Sequence, residues 1–476
     1  MDRRCFLKSL TAAPAVCLGH PSLIWTELVL AQQRDGRTQP DPFKPSEAAN
    51  NPVGESMGIH PGRVVWVRDA NSTSWDGRTG FWWDNANTDQ KAVNRMTSRL
   101  LLGLTGRKNE KQAWDALFRY HNEARKLGDS GYRRGEKIAI KINCNQDRGP
   151  DWSNMVPSFG PPPGSAVRRG APPGGTQGGG PPREPQNGLP SPHVVLALVS
   201  QLINAGVPGE DILVYEVAGR RNIGQPIYSK IRMESDRNFQ AIRFLVNTDY
   251  GLEGRLAPTV DRDNPVQFSN PEVPTAYLAQ EVNAAKYMIN IALLRPHGLA
   301  GVTLIGKNHF GSVHFPDNGG WTPAPLHAYI MRTRPMGSYN ALVDLMGHRQ
   351  LGGKTMLYML DGLYTAEHNE GNVFRFASFG DDWASSLLMS QDPVAIDSVG
   401  LDILRSETRA DVRGNADNYL HEAAQAGRPP SGTVYNPDKS GQLASLGVHE
   451  HWNNAAERKY SRNLGRKEGI ELIAAV

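Results

Sequence analysis

The sequence predicts an α/β fold with two Rossmann-like lobes, mostly parallel sheets and a central cleft. Short runs of β-branched residues alternate with helical patterns along the chain, which is typical of such folds. The stretch SPHVVLALVSQLINAGVPGEDILVYEV shows the unit most clearly, because a helix, a glycine and a strand follow one another and indicate a right-handed parallel crossover. The length of 476 residues exceeds that of one ordinary domain and favours two lobes.

Local patterns place the individual elements. RVVWVR at 63–68 is the first predicted strand, and apolar residues at helical spacing predict helices over 87–104 and 112–127. Ser191 and Pro192 are typical of a helix start. Further strands are predicted at 136–146, 211–217, 241–249, 286–294 and 356–364, and a further helix at 391–407.

Composition divides the chain into segments. A signal peptide is predicted at 1–31, a polar linker at 32–60, the α/β core at 61–407 and a mostly helical extension at 408–476. Within the core, 149–192 is so rich in proline and glycine that it predicts a long insertion loop. This loop is either a tolerated surface excursion or a lid over a neighbouring strand end.

The N-terminus resembles a twin-arginine export signal. RRCFLK at 3–8 matches the pattern RRxFLK, an apolar stretch follows, and VLA at 29–31 fits a cleavage site. The resemblance implies a periplasmic or extracellular protein that meets the twin-arginine translocase during export; a basic start to a cytosolic helix is the alternative. Cleavage would leave Cys144 as the single cysteine, which excludes an internal disulfide and an iron–sulfur cluster.

Charge and hydropathy argue against two classes of partner. The net charge is only +4, and no block of lysine and arginine carries interleaved aromatic residues, so a nucleic-acid partner is not expected. No run beyond the N-terminal segment reaches the roughly 20 apolar residues that span a bilayer, so no stable membrane span is expected.

The stretch RPHGLAGVTLIGKNHFGSVHF at 295–315 is the main candidate site. It begins where a predicted strand ends and places polar side chains among glycines and aliphatic residues. His297 is a candidate general acid or base, and Lys307, in apolar surroundings, a candidate nucleophile or base. His309 and His314 are candidate ligands of a transition metal such as nickel, zinc or iron, or contacts to an anion. Structural histidines and an exposed lysine are the alternative.

Polar residues near other strand ends are expected to line the same site as ligand-binding residues. Ligands of parallel sheets bind beyond the carboxyl ends of the strands. Asn143, Glu216 and Asp361 lie at such ends, Arg220 follows one closely, and Asn308 lies within the candidate stretch itself.

Four blocks resemble the domain of unknown function 362 family. These are IKIN, SPHVVLALVSQLINAGV, NIALLRPHGLAGVTLIGKNHFG and SQDPVAIDSVGLDIL, in the order of the family and spread over about 62–407. Many relatives carry a ferredoxin-like cysteine cluster, which this chain lacks, so the resemblance implies no electron transfer through such a cluster.

A more distant similarity is to the lactate racemase family. It rests on the helix–glycine–strand unit and on a PH…G…K segment, and it implies that His297 transfers protons and that Lys307 anchors a nickel pincer nucleotide. The chain departs from the family with Leu304-Ile305-Gly306 before the lysine, and with an arginine where the racemases carry a histidine.

Two functions are consistent with these residues. The first is an exported enzyme, dependent on a cofactor or metal, that performs proton transfer or redox chemistry on a small carbonyl or hydroxy-acid substrate. The second is a non-catalytic exported protein that binds an anionic metabolite or a sugar, with Trp75, Trp82 and Trp83 available for stacking.

Overall fold

An eight-stranded mixed sheet organises the protein. The computed structural model describes residues 47–144, 188–218, 225–247, 254–369 and 372–475. The strands are β1 Val53–Gly54, β2 Arg63–Arg68, β3 Ile138–Ile142, β4 Ile212–Glu216, β5 Arg243–Val246, β6 Val260–Val266, β7 Ala276–Ala279, β8 Tyr287–Leu293, β9 Pro296–His297, β10 Gly301–Val302, β11 Thr355–Gly362, β12 Thr365–Ala366, β13 Val373–Phe374, β14 Ser386–Ser390, β15 Val448–His449 and β16 Glu471–Ala475. The helices are α1 Gln90–Thr105, α2 Glu110–Ala124, α3 Pro192–Asn204, α4 Gln225–Arg232, α5 Arg237–Ala241, α6 Gln280–Asn283, α7 Ile305–Asn308, α8 Ala341–Gly347, α9 Pro393–Arg405 and α10 Asn418–Ala424.

The main sheet has the order β16-β2-β14-β11-β8-β3-β4-β5. Strand β14 is antiparallel to both of its neighbours, and all other neighbouring strands are parallel. The carboxyl ends of β3, β4, β8 and β11 therefore meet at one edge of the sheet, which is where ligands of such sheets bind.

Both faces of the sheet are covered, as the alternation of its side chains requires. Ile138, Ile140 and Ile142 of β3 face a core that includes the apolar sides of α1, α2 and α3. Ala139 faces the opposite core, which includes α8, α9 and α10. Strands that are buried on both faces appear in the sequence as continuous apolar runs. The sequence therefore predicts β3, β4 and β8, but it does not predict which residues face which of the two cores.

The α/β class and ten sequence-predicted elements are confirmed, whereas two separate lobes with a central cleft are not. All the long parallel strands among the described residues join one sheet, and the described residues belong to one compact unit. Strand β14 was missed because its short run lies directly before the strong helix signal of α9. Ser191 does cap α3, and its hydroxyl accepts a hydrogen bond from the His193 amide.

The C-terminal segment differs from the mostly helical extension that its composition predicts. Its described part holds one α-helix, α10, and ends in β16, which pairs in parallel with β2 and extends the sheet. The segment expected to be a linker is also partly structured, because β1 pairs with β15. The predicted signal peptide and most of the insertion loop lie outside the described residues.

The three tryptophans expected to stack on a sugar are core residues. Trp75, Trp82 and Trp83 are each at most 3% exposed; Trp75 packs with Tyr364 and Trp383, and Trp82 packs with Tyr364 and Trp83. This is a correction of the sugar-binding interpretation, because a buried indole has no face free for a ligand.

Asp392 ties three segments together at the start of α9. Its Oδ1 accepts hydrogen bonds from the amides of Val394 and Ala395, and its Oδ2 accepts them from Met57 and Val448. We expect Asp392→Ala to lower the free energy of unfolding by about 2–4 kcal/mol, because it removes a helix cap and leaves buried amides unpaired. Denaturant unfolding followed by circular dichroism measures the loss.

Asp236→Ala is the matched control, since Asp236 caps the short helix α5 through an exposed hydrogen bond to the Asn238 amide. Its expected loss is only about 0.5–1 kcal/mol. Equal losses in the two variants would contradict a joining role for Asp392.

Candidate functional site

A buried ion pair joins the carboxyl ends of β3 and β4. The Lys141 ammonium lies 3.1 Å from Glu216 Oε2 and donates a hydrogen bond to the Ile142 carbonyl at 2.6 Å. Both side chains are almost completely buried. The Glu216 carboxylate also accepts hydrogen bonds from the amides of Cys144 and Ala218. Such a pair is stable in a dry interior only when its remaining hydrogen-bonding capacity is satisfied, and here backbone groups and a further side chain satisfy it.

Asn308, at the end of α7, connects this ion pair to β8. Its Oδ1 accepts from Lys141 at 3.2 Å, and its Nδ2 donates to Asn290 Oδ1 at 2.7 Å and to the Ile291 carbonyl at 2.9 Å. Asn290 Nδ2 in turn lies 3.1 Å from His309 Nε2. The candidate stretch is therefore fixed to the middle of the sheet by a continuous buried network, which we call the strand-end network: Lys141, Glu216, Asn290, Asn308 and His309.

Gly311 makes room for this network. A Cβ atom at Gly311 would lie 2.5 Å from Glu216 Oε1 and 3.1 Å from the Lys141 ammonium. No side chain larger than hydrogen fits without moving the ion pair.

Lys307 lies beside the strand-end network. Its ammonium is 3.9 Å from the centre of the Phe310 ring and makes no hydrogen bond within the described part of the chain. Burial, together with the positive charges of Arg295 and Lys141, lowers the pKa of Lys307 to about 7, although the Glu216 carboxylate acts in the opposite direction. A substantial fraction of this side chain is therefore a neutral amine at neutral pH.

His297 belongs to the same electrostatic neighbourhood. Burial and the charges of Lys307 and Arg295 hold the pKa of His297 well below its usual range. Its Nδ1 accepts hydrogen bonds from the Leu299 and Ala300 amides at 3.1 and 3.3 Å. The neutral ring therefore carries its proton on Nε2. His327 is a further neighbour of Lys307. Burial lowers the pKa of His327 to about 4, and the positive charge of Lys307 contributes a smaller part of this shift.

Asp397 of α9 fixes the turn that carries Lys307. Its carboxylate accepts hydrogen bonds from the Ile305 and Gly306 amides at 2.8 and 2.9 Å and from the Tyr419 hydroxyl at 2.9 Å. These two amides belong to the first turn of α7, where backbone N–H groups have no partner within the helix. The Asp397 carboxylate supplies that partner.

Metal ligation by His309 and His314 stays a prediction, since the described residues place no group of three metal-capable side chains at either histidine. His309 Nε2 faces an amide donor of Asn290, so its lone pair is already used. His314 packs against Trp321, with ring centres 4.9 Å apart. Within the described residues, the one group of three or more metal-capable side chains is Glu47, Asp417 and His451, which lies in a different part of the fold.

The remaining predicted residues have varied positions. Asp361 accepts hydrogen bonds from the Ser191 and Leu363 amides at 2.5 and 3.0 Å, so it holds the start of α3 against the end of β11. Asn143 is half-buried, and its Oδ1 has no hydrogen-bond partner in the described part of the chain. Arg220 lies outside the described residues. Ligand binding by these three stays a prediction.

Sequence reasoning missed Lys141, Asn290, Asp397 and His327. A signal existed for the first two, since IAIKI and YMINIAL each place one polar residue inside an otherwise apolar strand. An uncompensated charge or amide in such a strand is costly, so each implies a buried partner. Asp397 lies in an apolar helix and His327 in the short 3-10 helix Ala324–Tyr329, and neither local sequence pattern separates these two residues from ordinary structural ones.

A shallow cleft also lies at the opposite edge of the sheet, at the amino ends of β4 and β5. Its lining includes the Lys137–Asp211 ion pair, with Lys137 partly exposed to solvent. It contains none of the residues with strongly lowered lysine or histidine pKa values, so the strand-end region is the better candidate site.

The geometry thus describes an α/β protein with a cation-rich polar site at the carboxyl ends of parallel strands. Residues 182–402, just under half of the chain, match the family model "Domain of unknown function (DUF362)". The match supports the family resemblance seen in the sequence and contains Glu216, His297, Lys307 and Asn308, but not Lys141. No curated protein matches the chain. No helix among the described residues is both long and apolar enough to cross a membrane.

We expect Gly311→Ala to displace the Lys141–Glu216 pair and to lower the free energy of unfolding by about 1–3 kcal/mol, because overpacking of a filled interior is destabilising. The matched control is Gly427→Ala, where the added Cβ would meet no atom nearer than 3.6 Å. Thermal and denaturant unfolding of the two variants measure the difference. A Gly311→Ala protein as stable as the control would show that the network tolerates displacement.

Proposed function

We propose that the protein is an exported enzyme that transfers a proton at the carbon next to a carbonyl group, on a small anionic hydroxy-acid or oxo-acid substrate. The observation that carries the proposal is the burial of the Lys307 amine against the Phe310 ring, near His297 and Arg295, which lowers the pKa of Lys307 to about 7. General bases are most effective when their pKa lies near the working pH.

The two side chains have complementary roles in this proposal. The neutral Lys307 amine takes the proton from carbon. His297, neutral and protonated on Nε2, donates a hydrogen bond or a proton to the carbonyl oxygen as negative charge develops there. The Nδ1 contacts to Leu299 and Ala300 fix the tautomer that this role requires.

The charge balance favours an anionic substrate. Lys141 and Arg295 are two cationic groups in the electrostatic neighbourhood of Lys307, and Glu216 is the carboxylate that acts on Lys307 in the opposite direction. A carboxylate or phosphate of a substrate would enter a neighbourhood of positive potential, which offsets part of the cost of burying its charge.

A nickel pincer nucleotide, which the distant resemblance to lactate racemases implies, does not fit the turn before Lys307. The Ile305 and Gly306 amides, which could otherwise bind an anionic phosphate, are both occupied by the Asp397 carboxylate. An added atom at Gly306 would also contact Tyr419 and Met346 at under 3 Å. The proposal therefore uses only side chains of this chain.

Non-catalytic binding of the same kind of anion is the second candidate. The surplus of positive charge supports it equally, since charge alone binds an anion without chemistry. The two candidates differ in the role of the lowered pKa of Lys307, which only an enzyme uses.

Hydrogen exchange with solvent tests the proposal. Full-length protein is incubated in D₂O with lactate, malate, glycerate and their 2-oxo analogues, and ¹H NMR follows the loss of the signal from the carbon next to the carbonyl. We expect exchange of at least one compound, falling on the order of 10²–10⁴-fold in Lys307→Met because the base is lost. Lys459→Met, an exposed lysine, is the control and should leave exchange unchanged.

The pH dependence follows from the sign of the pKa shift. Below about 7 the Lys307 amine becomes protonated, so the exchange rate should fall by about tenfold per pH unit, whereas above 7 it should level off. Lys307→Arg carries a positive charge at every pH tested and cannot act as a base, so it should bind the anion without exchanging it. Binding by wild type with no exchange at any pH would establish the second candidate instead.

A further inference from the structure

A cluster of histidines and carboxylates lies in the C-terminal part of the fold, outside the region of the family match. His421 comes from α10, His449 from β15 and His451 from the residues just after it, while Asp417 precedes α10 and Glu47 belongs to the N-terminal segment. One ligand atom each of Glu47, Asp417 and His451 lies within 4.8 Å of the others. The imidazole rings of His421 and His451 lie 4.6 and 4.9 Å from that of His449, measured between ring centres.

Several atoms that face one another in this cluster approach closely without a well-oriented hydrogen bond, and the pair His421 Nε2 and Glu47 Oε1 lies at 3.1 Å. Glu47 Oε2 and the Nε2 atoms of His421, His449 and His451 are all buried and have no hydrogen-bond partner among the described residues. His449 and His451 are only 1% and 2% exposed. Unsatisfied buried polar atoms are rare in folded proteins, and four of them in one cluster fit a shared partner such as a metal ion.

The separations suit donors arranged around a metal ion. His451 Nε2 lies 3.6 Å from Glu47 Oε2 and 3.7 Å from Asp417 Oδ2, and His421 Nε2 lies 3.1 Å from Glu47 Oε1. Nitrogen and oxygen ligands about 2.0–2.2 Å from a tetrahedral zinc ion are roughly 3.4 Å apart.

Hydrogen bonds at Nδ1 orient the imidazole rings of His449 and His451. His451 Nδ1 is 2.7 Å from Asp402 Oδ1, and His449 Nδ1 is 2.8 Å from Ser398 Oγ. Asp402 is itself held by the Trp452 amide and the Tyr460 hydroxyl. A histidine held through Nδ1 by a carboxylate, with Nε2 directed at a common point, is the usual arrangement of a metal ligand.

The charges of the cluster also match a divalent ion. Glu47, Asp402 and Asp417 supply three negative charges, and Arg405 neutralises one by a bidentate pair with Asp417 at 2.8 and 3.0 Å. Two negative charges remain when the imidazoles are neutral.

We propose that Glu47, Asp417 and His451, with His421 and His449 as adjoining donors, bind one divalent transition-metal ion of the zinc type. Imidazole and carboxylate donors suit such ions, and soft thiolate ligands are not needed. The ion would join the N-terminal segment that carries Glu47 to the C-terminal segment, so its principal effect is on stability. The inference is independent of the proposed enzyme activity.

A metal-free ion network is the competing arrangement. Burial lowers the pKa of His451, but the carboxylates of Asp402, Asp417 and Glu47 outweigh this effect and raise it to about 11. A permanently charged imidazolium would then neutralise the carboxylates in place of a metal.

Metal binding by the full-length chain distinguishes the two arrangements. The protein is stripped with a chelator and titrated with Zn²⁺ by calorimetry, bound zinc is counted by elemental analysis, and X-ray absorption of the zinc-loaded protein reports its ligands. We expect one zinc per chain, imidazole scattering in the absorption spectrum, and a higher unfolding temperature with zinc. No stoichiometric zinc at micromolar concentrations would overturn the proposal in favour of the ion network.

Two variants locate the site. Glu47→Gln is isosteric and lies at the partly exposed rim of the cluster, so this variant should fold but bind zinc on the order of 100-fold more weakly. Asp402→Asn removes the carboxylate that orients the His451 ring, and it should weaken zinc binding about 10–100-fold. Glu55→Gln, exposed in the same segment, is the matched control and should bind as wild type. Unchanged zinc affinity in both Glu47→Gln and Asp402→Asn would place the bound zinc elsewhere and refute the assignment.

Discussion

The Lys141 ammonium is buried at the carboxyl end of a central strand, where it must be compensated or the strand could not lie in the interior. Glu216 of the neighbouring strand compensates the charge, and Asn308 and a backbone carbonyl take further hydrogen bonds. Since removal of one member of a buried pair leaves an uncompensated charge, each depends strongly on the other. The ends of β3 and β4 are thereby fixed at the edge where parallel sheets bind their ligands.

The same network determines the environment of Lys307. Asn308 follows Lys307 directly and is held by Asn290 and Lys141, while Asp397 holds the backbone on the other side of the lysine. Lys307 is thus confined near two further cations, Lys141 and Arg295, in a region that water cannot readily screen. Like charge and desolvation both favour the neutral amine, so the chemistry of the site follows from the packing around it.

Much of the fold could be predicted because its strands and helices have strong local signals. The run MINIA and the capped start of α9 identify their elements without reference to the rest of the chain. The order of strands could not be predicted, since Lys141 and Glu216 are 75 residues apart, and Lys141 and Asn308 are 167 apart. The two predicted lobes are not confirmed for a related reason, because sequence periodicity does not specify how many sheets the strands form.

The candidate site was partly visible in the sequence. His297 and Lys307 could be selected because glycines and aliphatic residues surround them, and the structure places them in one electrostatic neighbourhood. His309 looked equivalent to His297, and only the position of Asn290 shows that its Nε2 is engaged. One local pattern, HEH at 449–451, points to the C-terminal cluster in the sequence. Glu47 comes from the opposite end of the chain, so its contact with His451 could not be predicted from that pattern.

The most direct measurement of the central claim is the pKa of Lys307 itself. Lysines are reductively methylated with ¹³C-formaldehyde and titrated by NMR, and the resonance absent from Lys307→Met identifies this residue. Confinement beside Arg295 and Lys141 predicts a midpoint near pH 7. A midpoint near the ordinary lysine value of about 10.4 would contradict the account, because Lys307 would then be a solvated ammonium rather than a buried amine.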